Sequence, residues 1–216
     1  MKYDNHIIGP AAPRMGNALT RAVGSGLLKL FGWKVEGKLP NEAKVILVGE
    51  PHTSNWDFVL IMCAAQSIGF RMSYIMKAEA FFWPLGGFFK WMGGLPLERT
   101  KGKDSLEQVK LHVKANDNIF LAITPSGSRS PKEKYKTGYL RMAHAFDMPI
   151  FLIGVDGSRK SIVLDRLVDP LGDIATQNKS IQDYMDATYV GIKPSNQRLG
   201  PIPEAPPDIL IGARKA

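Results

Sequence analysis

Apolar positions along this chain follow two periods that alternate with each other. Short continuous apolar runs are typical of strands buried on both faces, and apolar residues three or four positions apart are typical of amphipathic helices. The runs predict strands at 33–36, 44–49, 72–76, 94–99, 118–124, 149–155 and 161–164. The wider spacing predicts helices at 16–33, 56–68, 104–115, 136–146 and 176–189. This alternation predicts one α/β domain in which helices cover a mixed central sheet.

The predicted domain covers residues 16–192. An N-terminal arm, 1–15, precedes it, and an extended Pro-rich C-terminal tail, 193–216, follows it. The first helix is amphipathic and basic, which is typical either of a helix lying on an anionic membrane or of a surface helix packed on the core. An aromatic segment at 81–92 is broken by proline and glycine. It therefore either accepts an acyl chain, dips into a membrane interface, or packs in the core.

Composition limits the classes of partner. The 216 residues are 44% hydrophobic and 22% charged, which is typical of a globular domain with a sizeable core. The formal net charge of +8 favours an anionic partner, such as an acidic membrane surface or a phosphorylated or CoA-like molecule. No nucleic-acid-binding motif is present, so nucleic acid is not an expected partner. The lone cysteine, Cys63, lies among apolar residues and predicts neither a disulfide nor a metal site.

The segment 45–57 carries the candidate chemistry. An apolar strand ends at Gly49, a short polar turn carries His52, and Asp57 follows in the first turn of the next helix. A neutral imidazole takes a proton from a hydroxyl near neutral pH, and a carboxylate beside it stabilises the imidazolium that forms. The alternative is a carboxylate favoured by the helix dipole beside an unrelated loop histidine.

Basic residues stand on other loops that follow predicted strands. Arg99 ends one strand, and Arg129 lies in the loop 125–130 that follows another. Loops after parallel strands meet at one edge of a sheet, and a guanidinium offers paired donors to a phosphate or another anion. Backbone N–H groups around Gly127 and Ser128 add further donors. The alternative for Arg99 is a surface ion pair with a neighbouring carboxylate.

The order of these motifs resembles the glycerolipid acyltransferase family, which includes the 1-acyl-glycerol-3-phosphate acyltransferases. His52 through Asp57 matches the His-x4-Asp motif, and Arg99 matches the arginine that ends the second motif. The third motif, usually Pro-Glu-Gly-Thr-Arg-Ser, is present as Pro-Ser-Gly-Ser-Arg-Ser at 125–130. Pro149 opens the fourth, and Lys136 begins a Lys-Thr-Gly segment that matches the lysine-glycine pair before a helix. The resemblance covers residues 30–165.

The resemblance implies an O-acyltransferase with His52 and Asp57 as the catalytic residues. It implies substrate-binding roles for Arg99, Ser126, Gly127, Ser128, Arg129 and Lys136. The implied donor is acyl-CoA or acyl-carrier protein, and the acceptor is a hydroxyl of a lysophospholipid or glycerol phosphate. No cofactor and no metal are expected. The implied location is peripheral, at the cytoplasmic face of an anionic membrane.

Ser126 departs from the family pattern, which has glutamate at this position. Serine keeps a hydrogen-bonding group but loses the charge and the reach of a carboxylate. Two alternatives to a phosphate-bearing acceptor therefore stay open. One is an acyltransferase for a non-phosphate lysolipid, such as a lipid with an amino-acid head group. The other is a lipid- or anion-binding protein without turnover.

Overall fold

The computed structural model of the protein describes residues 7–98, 105–198, 201–204 and 207. Within these ranges the chain forms a seven-stranded sheet and six α-helices. The strands are β1 Lys34–Gly37, β2 Lys44–Glu50, β3 Ser73–Lys77, β4 Gly94–Leu97, β5 Ile119–Ile123, β6 Ile150–Asp156 and β7 Ser161–Val168. The helices are α1 Ala18–Phe31, α2 Asn55–Ile68, α3 Leu85–Trp91, α4 Ser105–Lys114, α5 Gly138–Phe146 and α6 Ile174–Thr188. The predicted single α/β domain is confirmed.

The strands form one mixed sheet in the order β1-β7-β6-β2-β5-β3-β4. The run from β6 to β4 is parallel, whereas β7 is antiparallel to β6 and β1 is parallel to β7. β2 therefore lies between β5 and β6, near the middle of the sheet. Because parallel strands end at the same edge, the segments after β2, β5 and β4 all leave the sheet on one side.

Both faces of the central strands are buried. On β2, Val45 and Leu47 face a core cluster that includes α2, whereas Ile46 and Val48 face a second cluster that includes α4, α5 and α6. A continuous apolar run is what a strand covered on both faces requires. The apolar run at 44–49 is therefore explained by a three-layer arrangement, in which helices cover both faces of the sheet.

α1 packs on α2 through a narrow face and leaves an apolar stripe outside. Its buried residues are Gly24 and Leu28. A Cβ at residue 24 would lie 2.7 Å from the backbone nitrogen of Ser67, so only glycine allows this approach. Leu19 and Leu30, which lie on another side of the helix, are 71% and 76% exposed. One face of this amphipathic helix therefore packs on the core, and its position on an anionic membrane stays a prediction.

α3 forms in the aromatic segment, for which no helix was expected. Pro84 stands directly before the first helical residue, where its missing N–H removes no helical hydrogen bond. Met92, after the helix, is buried in the cluster beside α2, whereas Phe88 and Trp91 stay about half exposed at 52% and 49%. The segment therefore packs on the core and also presents an aromatic surface.

The arm and the tail pack on the domain over the parts that the structure describes. Ile8 and Ala12 are buried, and the Leu39 N–H donates to the carbonyl of Ile7 at 2.8 Å. In the tail, Pro194–Asn196 forms a 3-10 turn rather than an extended segment. The Asn196 side chain and the N–H of the preceding residue, Lys193, both donate to Thr53 of the domain. The domain boundaries at 16 and 192 stay predictions.

None of the helices in the described ranges combines the length and the apolar character that crossing a bilayer requires.

Candidate active site

The turn formed by residues 51–54, between β2 and α2, brings the predicted catalytic pair together. His52 Nδ1 lies 3.0 Å from Asp57 Oδ2. The imidazole is 17% exposed, whereas the carboxylate is fully buried. Because Nδ1 faces the carboxylate, the neutral ring carries its proton there and presents Nε2 as the proton acceptor. We refer to residues 51–54 as the histidine turn.

Asp57 is held in place by the start of α2. Its Oδ2 also accepts hydrogen bonds from the N–H groups of Thr53 at 2.6 Å and Ser54 at 2.7 Å. Ser54 is the N-cap residue of α2, and its reciprocal bonds with Asp57 form a capping box. One carboxylate therefore completes the capping box and also contacts the histidine, so His52 is not the unrelated loop residue of the alternative interpretation. The catalytic role of the pair stays a prediction.

Glu50 is a further residue of this site, although none of the motifs indicates it. Its carboxylate is 1% exposed. Oε2 accepts from the His52 N–H at 2.7 Å, and Oε1 accepts from the Ser126 N–H at 2.8 Å. Burial raises the pKa of Glu50 to about 7, and these two N–H groups oppose the increase by stabilising the ionised form. The signal in the sequence is a charged residue at the end of a buried apolar run.

The loop 125–130 after β5 lies beside the histidine turn. Ser126 is buried, and Gly127 has a φ of 64°, a left-handed conformation that favours glycine. Lys136 lies against this glycine, because a Cβ at residue 127 would be 2.8 Å from the Lys136 Nζ. The Lys136 N–H also donates to the Pro125 carbonyl at 2.9 Å. The structure therefore brings the predicted lysine onto the predicted loop.

The outer part of the same loop carries Ser128 and Arg129. Ser128 Oγ donates to the Ser130 carbonyl at 3.4 Å. Arg129 is exposed, and within the described ranges it makes no hydrogen bond or ion pair. Its guanidinium is therefore available to an anionic ligand at this edge of the sheet.

Arg99 lies outside the described residues, so its position stays a prediction. The backbone just before it is fixed by Gln108 of α4. The Gln108 side-chain amide accepts from the Glu98 N–H at 3.2 Å and donates to the Glu98 carbonyl at 3.0 Å. β4 is the third strand from β2, so this backbone leaves the sheet on the site edge, about 14 Å away at the usual strand spacing.

The C-terminal segment holds the histidine turn from the outside. Thr53, which is 1% exposed, accepts a hydrogen bond on Oγ1 from the Lys193 N–H at 3.0 Å. The Asn196 side-chain amide donates to the Thr53 carbonyl at 3.1 Å. The segment is in turn anchored to α6, because Arg198 pairs with Asp183 at 2.9 Å. Lys193 and Asn196, which lie in the predicted tail, therefore contact Thr53, the residue after the candidate base His52.

In the part of the chain that the structure describes, no three His, Cys, Asp or Glu side chains converge as the ligands of a metal ion would.

The sequence matches a family model described as Acyltransferase over residues 33–155, which is more than half of the chain. The chain therefore belongs to the acyltransferase family, and the resemblance to glycerolipid acyltransferases is confirmed. The predicted class of enzyme, an O-acyltransferase, is confirmed with it. The matched range contains His52, Asp57 and the loop 125–130.

Among solved structures, the fold is similar to that of the 1-acyl-sn-glycerophosphate (LPA) acyltransferase PlsC from Thermotoga maritima. The TM-score is 0.55 at 15% sequence identity, over 76% of this chain and 74% of that chain. At this identity the likeness establishes the fold. No curated protein sequence matches the chain.

Proposed function

We propose that the protein transfers a fatty acyl group from an acyl thioester to a hydroxyl of a lysophospholipid or glycerol phosphate, in phospholipid biosynthesis. The observation that carries the proposal is the contact between His52 and Asp57, at 3.0 Å, on the turn after a central strand of an acyltransferase-family domain. The donor is acyl-CoA or acyl-carrier protein, and neither a metal nor a cofactor takes part.

His52 acts as a general base in this reaction. Nε2 takes the proton of the acceptor hydroxyl as its oxygen attacks the thioester carbonyl. Asp57 stabilises the imidazolium through the bond to Nδ1. The tetrahedral intermediate then collapses, the carbon–sulfur bond breaks, and the imidazolium returns its proton to the leaving thiolate. The products are an ester and a free thiol, and no acyl-enzyme is formed.

The anionic part of the acceptor binds to the basic groups beside the loop 125–130. Lys136 lies against Gly127, and the exposed guanidinium of Arg129 stands on the same loop. Both groups suit a phosphate, to which a guanidinium gives paired donors and an ammonium gives a point charge. Arg99 is a further candidate, because the strand that leads to it ends at the same edge of the sheet.

A non-phosphate lysolipid is the second candidate acceptor. Ser126 is buried beside Glu50 and presents no carboxylate to an acceptor, unlike the glutamate of the family pattern. An amino-acid head group is one such acceptor, because its carboxylate would still pair with Lys136 and Arg129. The third candidate, a lipid- or anion-binding protein without turnover, predicts binding without product.

We infer that the protein works at the cytoplasmic face of a membrane, to which it attaches peripherally. Two exposed apolar surfaces support this inference. One is the stripe on α1 that includes Leu19 and Leu30, and the other is the aromatic surface of 82–91, in which Trp83 is 91% exposed. Exposed apolar residues of this size are typical of an interfacial contact, and the net charge of +8 favours anionic lipids.

An acyl-transfer assay tests the proposed function. Purified protein is offered acyl-CoA and acyl-carrier protein with a panel of acceptors, and mass spectrometry identifies the product. The panel includes lysophosphatidic acid, glycerol 3-phosphate and a lysolipid with an amino-acid head. Product from a phosphate-bearing acceptor supports the first candidate, and product from the amino-acid lipid alone supports the second. Binding of acceptors without any product would contradict both.

A further inference from the structure

One side chain joins the two loops that carry the proposed chemistry. Glu50 ends β2, and its two carboxylate oxygens accept from the N–H of His52 at 2.7 Å and the N–H of Ser126 at 2.8 Å. Glu50 and Ser126 are 76 positions apart in the sequence, so the hydrogen bond between them is a tertiary contact. At 1% exposure, Glu50 is almost completely shielded from solvent. Burial raises the pKa of Glu50 to about 7, so the ionised form that accepts from both N–H groups predominates above that pH, and hydrogen bonds to an ionised carboxylate are among the stronger ones in proteins.

A glutamate is the side chain that meets this geometry. Two N–H donors converge on it, and a carboxylate offers an acceptor to each. A glutamine of the same size has one acceptor and one donor, so its NH₂ group would face one of the two N–H groups. An aspartate keeps the charge but is one methylene shorter, which weakens its reach to both donors.

We propose that Glu50 is a positioning residue for acyl transfer, which fixes the histidine turn relative to the loop 125–130. The proposal rests on the function proposed above. Because the carboxylate is buried, Glu50 does not touch the substrate. It acts through His52, whose backbone it holds, and through Ser126, which begins the turn that Lys136 packs against. The distance between His52 and the anion-binding groups of the loop 125–130 is therefore fixed, and both are oriented towards the same bound acceptor.

The same geometry couples position 126 to position 50. The Ser126 nitrogen lies 2.8 Å from Glu50 Oε1, so the side chain at residue 126 begins close to this carboxylate in space. A second carboxylate there would be a buried like charge, which disfavours the ionised form of both groups. The site therefore favours one ionised carboxylate, and in this chain position 50 supplies it.

Steady-state kinetics of Glu50→Gln tests the positioning role. We expect kcat to fall by roughly tenfold to a hundredfold, because small displacements of a reacting group cost rates of that order. The KM for the acyl donor stays within about twofold of the parent value, since the donor does not contact residue 50. Glu50→Asp recovers part of kcat, because it restores the second acceptor. Glu42→Gln, two residues before the start of β2, is the matched control and keeps the parent kcat.

The coupling is tested by adding Ser126→Glu to the parent and to Glu50→Gln. In the parent, Ser126→Glu lowers kcat and the melting temperature. In the Glu50→Gln background, Ser126→Glu raises kcat above the value of Glu50→Gln alone. A parent kcat in Glu50→Gln, or an equal effect of Ser126→Glu in both backgrounds, overturns the proposal. So does a failure of both Glu50→Gln and Glu50→Asp to fold, since Glu50 is then a structural residue. A parent protein without turnover on every acceptor instead contradicts the proposed function itself.

Discussion

Thr53, the residue after the candidate base, accepts a hydrogen bond from the backbone of Lys193, 140 positions further along the chain. The distance between the Lys193 nitrogen and Thr53 Oγ1 is 3.0 Å, and the contact is partly buried. Since the Thr53 N–H also donates to Asp57, the C-terminal segment bears directly on the catalytic pair.

Replacing this hydroxyl by a methyl group should therefore affect both stability and turnover. Thr53→Val keeps the shape but leaves the Lys193 N–H without an acceptor, which costs about 1–3 kcal/mol of unfolding free energy. We expect chemical denaturation to show this loss and kcat to fall with it. Thr188→Val is the matched control, because its hydroxyl has no hydrogen-bond partner in the described part of the chain. An equal loss of stability in both variants would contradict the role of the Thr53 contact.

His52→Ala should reduce kcat by about a hundredfold or more, which is the usual contribution of a general base. The fold stays intact, because Asp57 keeps its two backbone donors and the start of α2 keeps its capping box. Circular dichroism and kcat measured on the same preparation check this. His144→Ala, on the exposed side of α5, is the control and keeps the parent rate. Transfer by His52→Ala at the parent rate would rule out His52 as the base.

Two replacements of Asp57 separate its two roles. In the parent, Oδ2 of Asp57 contacts the N–H groups of Thr53 and Ser54 and Nδ1 of His52. Asp57→Asn keeps an oxygen for these three donors, so we expect a near-parent melting temperature. The negative charge that stabilises the imidazolium is lost, so we expect kcat to fall by roughly tenfold or more. Asp57→Ala also removes the Asp57 half of the capping box, which costs about 1 kcal/mol in addition. Thermal unfolding and kcat are measured for both. If Asp57→Asn destabilises the protein as much as Asp57→Ala, the separation of roles is wrong.

Stability should fall as the pH rises from about 5 to about 8, partly because of Glu50. Its pKa is raised by burial from 4.5 to about 7, so folding favours the protonated carboxyl. That contribution is complete below the unfolded pKa and is lost as the pH rises through about 7. A shift of this size corresponds to about 3 kcal/mol. The pKa of Asp186 is also raised by burial, to about 6, and it acts in the same direction.

Glu50→Gln isolates this contribution. The groups that face Glu50 are His52 on its own turn and the hydroxyls of Tyr135 and Tyr139 from the α5 side. All three are present in the variant, so the comparison with the parent reports the change at residue 50. We expect the melting temperature of Glu50→Gln minus that of the parent to increase from pH 5 to pH 8. A constant difference would show that Glu50 titrates as it does in the unfolded chain.

The local parts of the site could be predicted from the sequence, and the long-range parts could not. An apolar run, a turn and a helix start are local patterns, so the position of His52 before α2 and its spacing to Asp57 were both readable. Glu50 points inward because two N–H donors from different loops converge on it, and no local pattern encodes their meeting. The bond between Thr53 and Lys193 has the same origin. α3 was missed because Pro84 breaks the pattern just where a helix tolerates it.

The protein should co-sediment with anionic vesicles more than with neutral ones, and salt should weaken the association. A double replacement on α1, Leu19→Glu with Leu30→Glu, should lower vesicle binding by about tenfold or more, because two exposed apolar side chains become charged. Their exposure predicts that the fold and the turnover of water-soluble substrates stay unchanged. Leu111→Glu is the matched control: Leu111 is 62% exposed on α4, which covers the other face of the sheet. The same loss of vesicle binding in Leu111→Glu would show a general effect of added negative charge. Equal binding of the parent protein to anionic and neutral vesicles at low salt would contradict an anionic membrane partner.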